Sequence, residues 1–123
     1  MFLCYNLGMD FNEYQRLAKR TDLDEPGATD QVMYPGFMDK ILGLSGEAGE
    51  FTDKVKKIVR DKEGKISSED REELLKELGD VLWYVALVAE YMGVPMEEVA
   101  KKNIEKLASR QKRGTLTGSG DNR

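Results

Sequence analysis

Four carboxylates on two segments carry the first chemical signal in this sequence. Glu47 and Glu50 stand three residues apart, and so do Glu77 and Asp80. On a helix, residues three apart share a face, so each segment would present a pair of acids to one side. The same spacing decorates ordinary solvated helices, and that plain reading competes with a functional one. The surroundings of the second pair weigh against it. The row through Glu77 and Asp80 continues into Tyr84, Leu87 and Tyr91, an apolar face that belongs inside protein. Ionised carboxylates crowded against buried groups are poorly solvated and repel one another, so they must be protonated, paired or bound to a cation. A hard divalent ion meets that need with oxygen ligands alone. The chain has no histidine, which excludes Ser/His and Cys/His dyads, His-ligated zinc and Glu-x-x-His di-iron sites. Catalysis here would fall to carboxylates, lysines, hydroxyls or a hard metal.

Other residue types gather around these acids. Lys54 lies one turn beyond Glu50 and could reach a phosphate held there, or simply form an i, i+4 pair. Lys106 and Arg110 share a face near the end of the last helical segment, where cations are favoured in any case. Trp83, Phe11, Tyr14, Tyr34 and Phe37 could stack on a base, although aromatics at helical spacing commonly serve as core. Gly43, Gly46 and Gly49 interrupt a helical pattern, each at roughly 0.5–1 kcal/mol relative to alanine. That cost suggests close approach by another helix or by a ligand near the first pair of acids.

The elements that must position these groups are helical. Asp10 followed by Phe11, Tyr14, Leu17 and Ala18 gives an N-cap and an apolar stripe, predicting a short helix over 10–20. Residues 21–36, with Pro26, Gly27, Pro35 and Gly36, read as a loop. Ile41, Leu44, Ala48, Phe51, Val55, Ile58 and Val59 predict a second helix over 37–62, stopped at 61–64. Ser67 or Ser68 caps a third, which Leu74, Leu78, Val81, Val85 and Val88 carry to Gly93. Pro95, as a first helical residue before Glu97 and Glu98, opens a fourth that runs to about Gln111. No strand and no repeat is legible. The expectation is therefore an all-α bundle of about four helices. Because the third helix is apolar on more faces than its thin neighbours cover, the bundle is expected to be completed by oligomerisation.

The chain of 123 residues divides into an N-terminal extension over 1–9, one domain over 10–114 and an aperiodic tail over 115–123 expected to be disordered. The opening residues lack the basic flank of a signal peptide and read as an extension, with Met9 offering an alternative start. Charged residues make up 34% of the chain and sum to −4, so no basic field exists to hold a nucleic acid duplex. The lone Cys4 cannot form an internal disulfide, and no apolar run reaches the ~20 residues of a membrane span. A cytoplasmic protein without membrane attachment is the expectation.

The run Gly-Leu-Ser-Gly-Glu-Ala-Gly-Glu-Phe at 43–51, with lysines at 54, 56 and 57, and Glu-Leu-Gly-Asp-Val-Leu-Trp-Tyr at 77–84 resemble the MazG-like branch of the all-α nucleoside triphosphate pyrophosphatases. That family carries Glu-x-x-Glu, a spacer, then Glu-x-x-Asp, and the spacer between Glu50 and Glu77 fits. Asn103, Lys106, Arg110 and Arg113 resemble its closing helix, so the likeness spans roughly 10–114.

The resemblance implies a helical bundle with two central antiparallel helices, and dimers or tetramers that hydrolyse an NTP or dNTP to monophosphate and pyrophosphate. It makes Glu47, Glu50, Glu77 and Asp80 the ligands of Mg2+, with Mn2+ able to substitute. Tyr84 would meet the sugar, and Asn103 and Lys106 would meet phosphate or sugar. Lys54, Trp83 and Arg110 complete the candidate substrate contacts, and Glu47 or Glu50 is expected to orient the attacking water. A phosphoribosyl-ATP pyrophosphohydrolase of the same fold, or a helical interaction module without catalysis, are the alternatives.

Overall fold

The computed structural model describes residues 8–24 and 27–122. Cys4, Pro26 and most of the expected extension over 1–9 lie outside the described residues. Within them the chain is all-α, with α1 (Phe11–Lys19), α2 (Pro35–Lys62), α3 (Ser68–Tyr91) and α4 (Met96–Lys112), and no strand.

The helix ends follow local chemistry. Asp10 caps α1 by accepting the Glu13 amide at 2.7 Å. At α3, Ser67 and Asp70 form a reciprocal capping box that satisfies two amides with no partner inside the helix. α2 starts at Pro35, two residues before the apolar pattern predicted, because proline's fixed φ and missing N–H suit a first helical position. It ends where Glu63 turns left-handed at φ 52° and the Gly64 amide reaches back to the Ile58 carbonyl at 3.2 Å. Pro95 differs slightly from expectation: it is the cap before α4 rather than its first residue.

α2 and α3 form a long antiparallel hairpin. At its open end Phe37 stacks on Tyr91, with ring centroids 5.5 Å apart. Near its turn Lys62 pairs with Asp70 at 2.7 Å. Between these, the ring of Tyr84 lies where a Cβ on Gly43 would overlap it, so this glycine is what lets the helices meet there. A methyl group at Gly46 or Gly49 would meet nothing among the described residues within 4 Å, so both positions face open space.

α1 and α4 pack on α3 and on each other, and among the described residues their backbones stay apart from that of α2. Gln15, buried on α1, ties them together. Its amide nitrogen donates to the carbonyls of Ala86 at 3.3 Å and Val94 at 2.9 Å, and its oxygen accepts the Met96 amide at 2.9 Å. Ala18, Ala86, Leu87 and Met96 form the core, flanked by Tyr14, Trp83 and Val85.

Much apolar surface remains wet. Leu75, Leu78 and Leu82, at i, i+3 and i+7 on α3, are all exposed, as are Ile104 and Leu107 on α4. Beyond Gly114 the chain turns back on α4, where the nearly buried Arg110 donates to the carbonyls of Gly120 at 3.3 Å and Asp121 at 2.9 Å. Among the described residues no helix is long and apolar enough to cross a membrane.

Candidate metal centre

The hairpin brings the two acidic segments face to face. Glu47 of α2 and Glu77 and Asp80 of α3 each offer a carboxylate oxygen, and these three atoms lie within 4.8 Å of one another. Glu47 and Glu77 are half-buried, and Asp80 is exposed. The convergence follows from two registers. Glu77 and Asp80 stand three positions apart on one face of α3, and the Gly43–Tyr84 contact fixes α2 one turn away. Glu50 is exposed at the edge of this group and outside the cluster of three.

The electrostatics are those of acids short of positive charge. Burial pushes the Glu47 carboxyl above the usual glutamate range, and the charges of Asp80, Glu77 and Glu50 push it further the same way. Lys54 supplies the nearby cation. Its Nζ stands 2.9 Å from Glu73 and 2.9 Å from Glu77, and these two carboxylates hold the ammonium well above the ordinary lysine value. Lys54 therefore steadies Glu77 while sharing its charge with a further acid. A set of oxygen donors at this spacing, with no nitrogen or sulfur among them, fits Mg2+ or Mn2+ and does not fit a soft metal.

Aromatic groups border the acids on both sides. Tyr84, one turn after Asp80, is raised above the usual phenol range by burial first, then by Asp39 and Glu47. Tyr14 on α1 is raised by burial and by the charge of Asp80. The Asp80 charge thus reaches Tyr14 of α1 as well as Glu47 of α2. Trp83 meets Tyr84 edge-on at 4.9 Å, and its indole N–H donates to Thr21 Oγ1 at 2.7 Å. Phe37 and Tyr34 instead pack on Tyr91, away from the acids.

The remaining candidates lie on α4. Asn103 and Lys106 share no hydrogen bond or ion pair with the acids among the described residues, and the backbone of α4 stays apart from that of α2. Lys106 stands 3.5 Å from Asp121, and Arg110 is engaged by the returning tail. Sequence reasoning missed Lys40, which is buried among three aspartates; the signal was a lysine set in the apolar row of Phe37, Ile41 and Leu44, beside a loop containing Asp22 and Asp24.

The all-α hairpin gathers carboxylates from two helices, and oxygen donors of this kind suit a hard cation. The chain belongs to the MazG nucleotide pyrophosphohydrolase family, whose domain matches residues 38–115 and so covers all four acids. It is similar to the Gene 37 protein of Mycobacterium phage L5, at 47% identity over 111 residues, covering 83% of this chain and 97% of that protein. It is also similar to the uncharacterized protein YvdC of Bacillus subtilis (strain 168), at 39% identity over 72 residues, covering 54% of this chain and 68% of that protein. No solved structure matches the chain.

Proposed function

We propose that this protein hydrolyses a nucleoside or deoxynucleoside triphosphate to the monophosphate and pyrophosphate in a magnesium-dependent reaction. The observation that carries the reading is the convergence of Glu47, Glu77 and Asp80 within 4.8 Å across the hairpin of a MazG-family chain. Glu47, Glu77 and Asp80, joined by Glu50 from the next turn of α2, would hold Mg2+, with Mn2+ as a substitute. The ion, when bound, neutralises charge on the phosphates and on the departing pyrophosphate.

The chain's own groups account for the rest. Water attacks the α-phosphorus, the α–β anhydride bond breaks, and pyrophosphate leaves with the bonding electrons. Glu47 or Glu50 orients the attacking water and accepts its proton. Lys54 keeps Glu77 in place. Tyr84, backed by Trp83, lies one turn from Asp80, where it would meet the sugar. Asn103, Lys106 and Arg110 of α4 are the further candidates for contact with the substrate, and Lys106 and Arg110 meet Asp121 of the tail.

A homodimer or homotetramer is part of the reading, supported by the exposed stripe of Leu75, Leu78 and Leu82. Light scattering at micromolar concentration tests it, and a monomeric mass would refute it.

The catalytic test is release of pyrophosphate and monophosphate from a panel of NTPs and dNTPs, with and without Mg2+, comparing wild type with Glu50→Gln and Asp80→Asn. Metal-dependent turnover in wild type that both variants lose supports the reading. No turnover on any nucleotide, with no stabilisation by Mg2+, would leave a helical interaction module.

A further inference from the structure

Lys40 lies seven residues before Glu47 on α2, about two turns away, and has a carboxylate cluster of its own. Its Nζ stands 3.0 Å from Asp22, 2.6 Å from Asp24 and 2.9 Å from Asp39. Lys40 is only 3% exposed and the Asp22 side chain is wholly buried. The Tyr91 hydroxyl donates to the second Asp22 oxygen at 3.3 Å.

Stability alone is a weak reason for such a cluster. A buried ion pair is often matched or bettered by apolar side chains of similar volume, because desolvation offsets much of the attraction. What charged, directional contacts add is a fixed position for the groups they hold.

The contacts run from Lys40 to the edge of the metal centre. Asp22 and Asp24 tie the segment after α1 to α2. The neighbouring Thr21 hydroxyl accepts the Trp83 indole N–H at 2.7 Å, and the Lys40 ammonium stands 5.7 Å from the centre of the same indole ring. Trp83 meets Tyr84 edge-on, and Tyr84 fills the space left by Gly43, one turn from both Glu47 and Asp80. Among the described residues the backbones of α1 and α2 stay apart, and this cluster links the segment after α1 to α2.

We propose that Lys40 is a positioning residue for nucleotide selection: held by Asp22, Asp24 and Asp39, it fixes Trp83 and Tyr84 beside the acidic centre and so sets which sugar and base are accepted. The proposal rests on the pyrophosphohydrolase reading above. Lys40 touches no substrate in this scheme; it acts through the two aromatic rings. Its loss should weaken recognition of the nucleoside while leaving the phosphate chemistry of the acids intact.

The test uses the full chain as wild type, as the double variant Lys40→Met/Asp22→Asn, which leaves no unpaired buried charge, and as Lys40→Arg. Hydrolysis is measured over paired ribo- and deoxynucleotides, with Mg2+-dependent thermal stabilisation as the control for an intact acidic centre. The double variant should keep that stabilisation and a kcat within about threefold of wild type. Its KM for the preferred nucleotide should rise about tenfold or more, and its discrimination between the two sugars should fall by a similar factor. Lys40→Arg should recover part of both.

Unchanged KM and discrimination in a folded double variant would overturn the proposal, as would a fall in kcat at constant KM. Should the double variant fail to fold, Asp24→Asn/Asp39→Asn loosens the same cluster from its exposed side and is judged by the same criteria. Absence of turnover in wild type would overturn the pyrophosphohydrolase reading and this proposal with it. Active wild type beside an unaltered variant overturns this proposal alone.

Discussion

Two sets of acids meet the same helical hairpin, and their lysines are shared out differently. Asp22, Asp24 and Asp39 surround a buried lysine whose ammonium sits within 3.0 Å of all three. Burial alone would pull Lys40 below the ordinary lysine value, yet Asp24, Asp39 and Asp22 hold it above. Among the described residues, the ion pair at the second set is that of Lys54 with Glu77, which Lys54 shares with Glu73. At the first set one ammonium reaches all three carboxylates, and solvent reaches Asp24 and Asp39. At the second, burial first and then the charges of Asp80, Glu77 and Glu50 push Glu47 toward its protonated form. In the proposed reading, the second set leaves room for a cation from solution.

The strongest way to break this comparison is to neutralise the second set. Glu77→Gln and Asp80→Asn should each lower turnover by roughly 10²–10³-fold or more, measured as pyrophosphate release at saturating Mg2+. Retained turnover in either variant would remove that carboxylate from the chemistry. Metal binding to the native state alone raises stability with ion concentration, by about 2.7 kcal/mol at a hundredfold excess over Kd. Thermal melts against Mg2+ should show this in wild type and lose it in Glu77→Gln. The same gain in the Lys40→Met/Asp22→Asn variant would confirm that the two sets act independently.

A smaller effect tests the register that brings the second set together. Gly43→Ala would drive a methyl into the Tyr84 ring and should cost about 1–3 kcal/mol, read from urea unfolding midpoints. Gly49→Ala meets open space in this chain and should stabilise α2 by about 0.5–1 kcal/mol. A loss at Gly49 instead would mean that a partner chain or ligand occupies that space. Ser67→Ala, which breaks the capping box of α3, should cost about 1 kcal/mol by the same measurement.

The subtlest expectation is one of sign with pH. Glu47 is raised in the folded chain, so its proton contributes stability that is fully present below the unfolded glutamate value and lost as pH rises through the folded one. Asp70, held down to about 2 by Lys62 and the Ser67 cap, behaves oppositely: its contribution is present above the unfolded aspartate value and lost as pH falls toward about 2. Unfolding midpoints of Glu47→Gln and Asp70→Asn across pH 2–7, without added metal, should separate these two slopes.

Much of this is legible in the sequence because it is local. The Ser67 cap, the Asp10 cap and the spacing of Glu77 and Asp80 are each fixed by residues within one turn, and all four helices follow from apolar periodicity. Pro35 misleads as a loop marker because the same residue type begins helices. The cluster around Lys40 is not legible because its members come from three segments, and nothing in the local pattern says that Asp22 will be buried. Gly43 reads as a place of close approach, but only the structure pairs it with Tyr84 and leaves Gly46 and Gly49 open. The arrangement of Arg110 with Gly120 and Asp121 is likewise invisible, since it depends on a tail with no periodicity.

Trp83 is the single tryptophan of the chain. Its indole lies under the Lys40 ammonium, bonded to Thr21 and edge-on to Tyr84, so its surroundings combine a cation, a hydroxyl and a neighbouring ring. The protein therefore carries its own optical reporter at the junction between the lysine cluster and the acidic centre. Intrinsic fluorescence should register a nucleotide arriving beside Tyr84 or a loosening of Lys40, with no label attached and no other indole contributing to the signal.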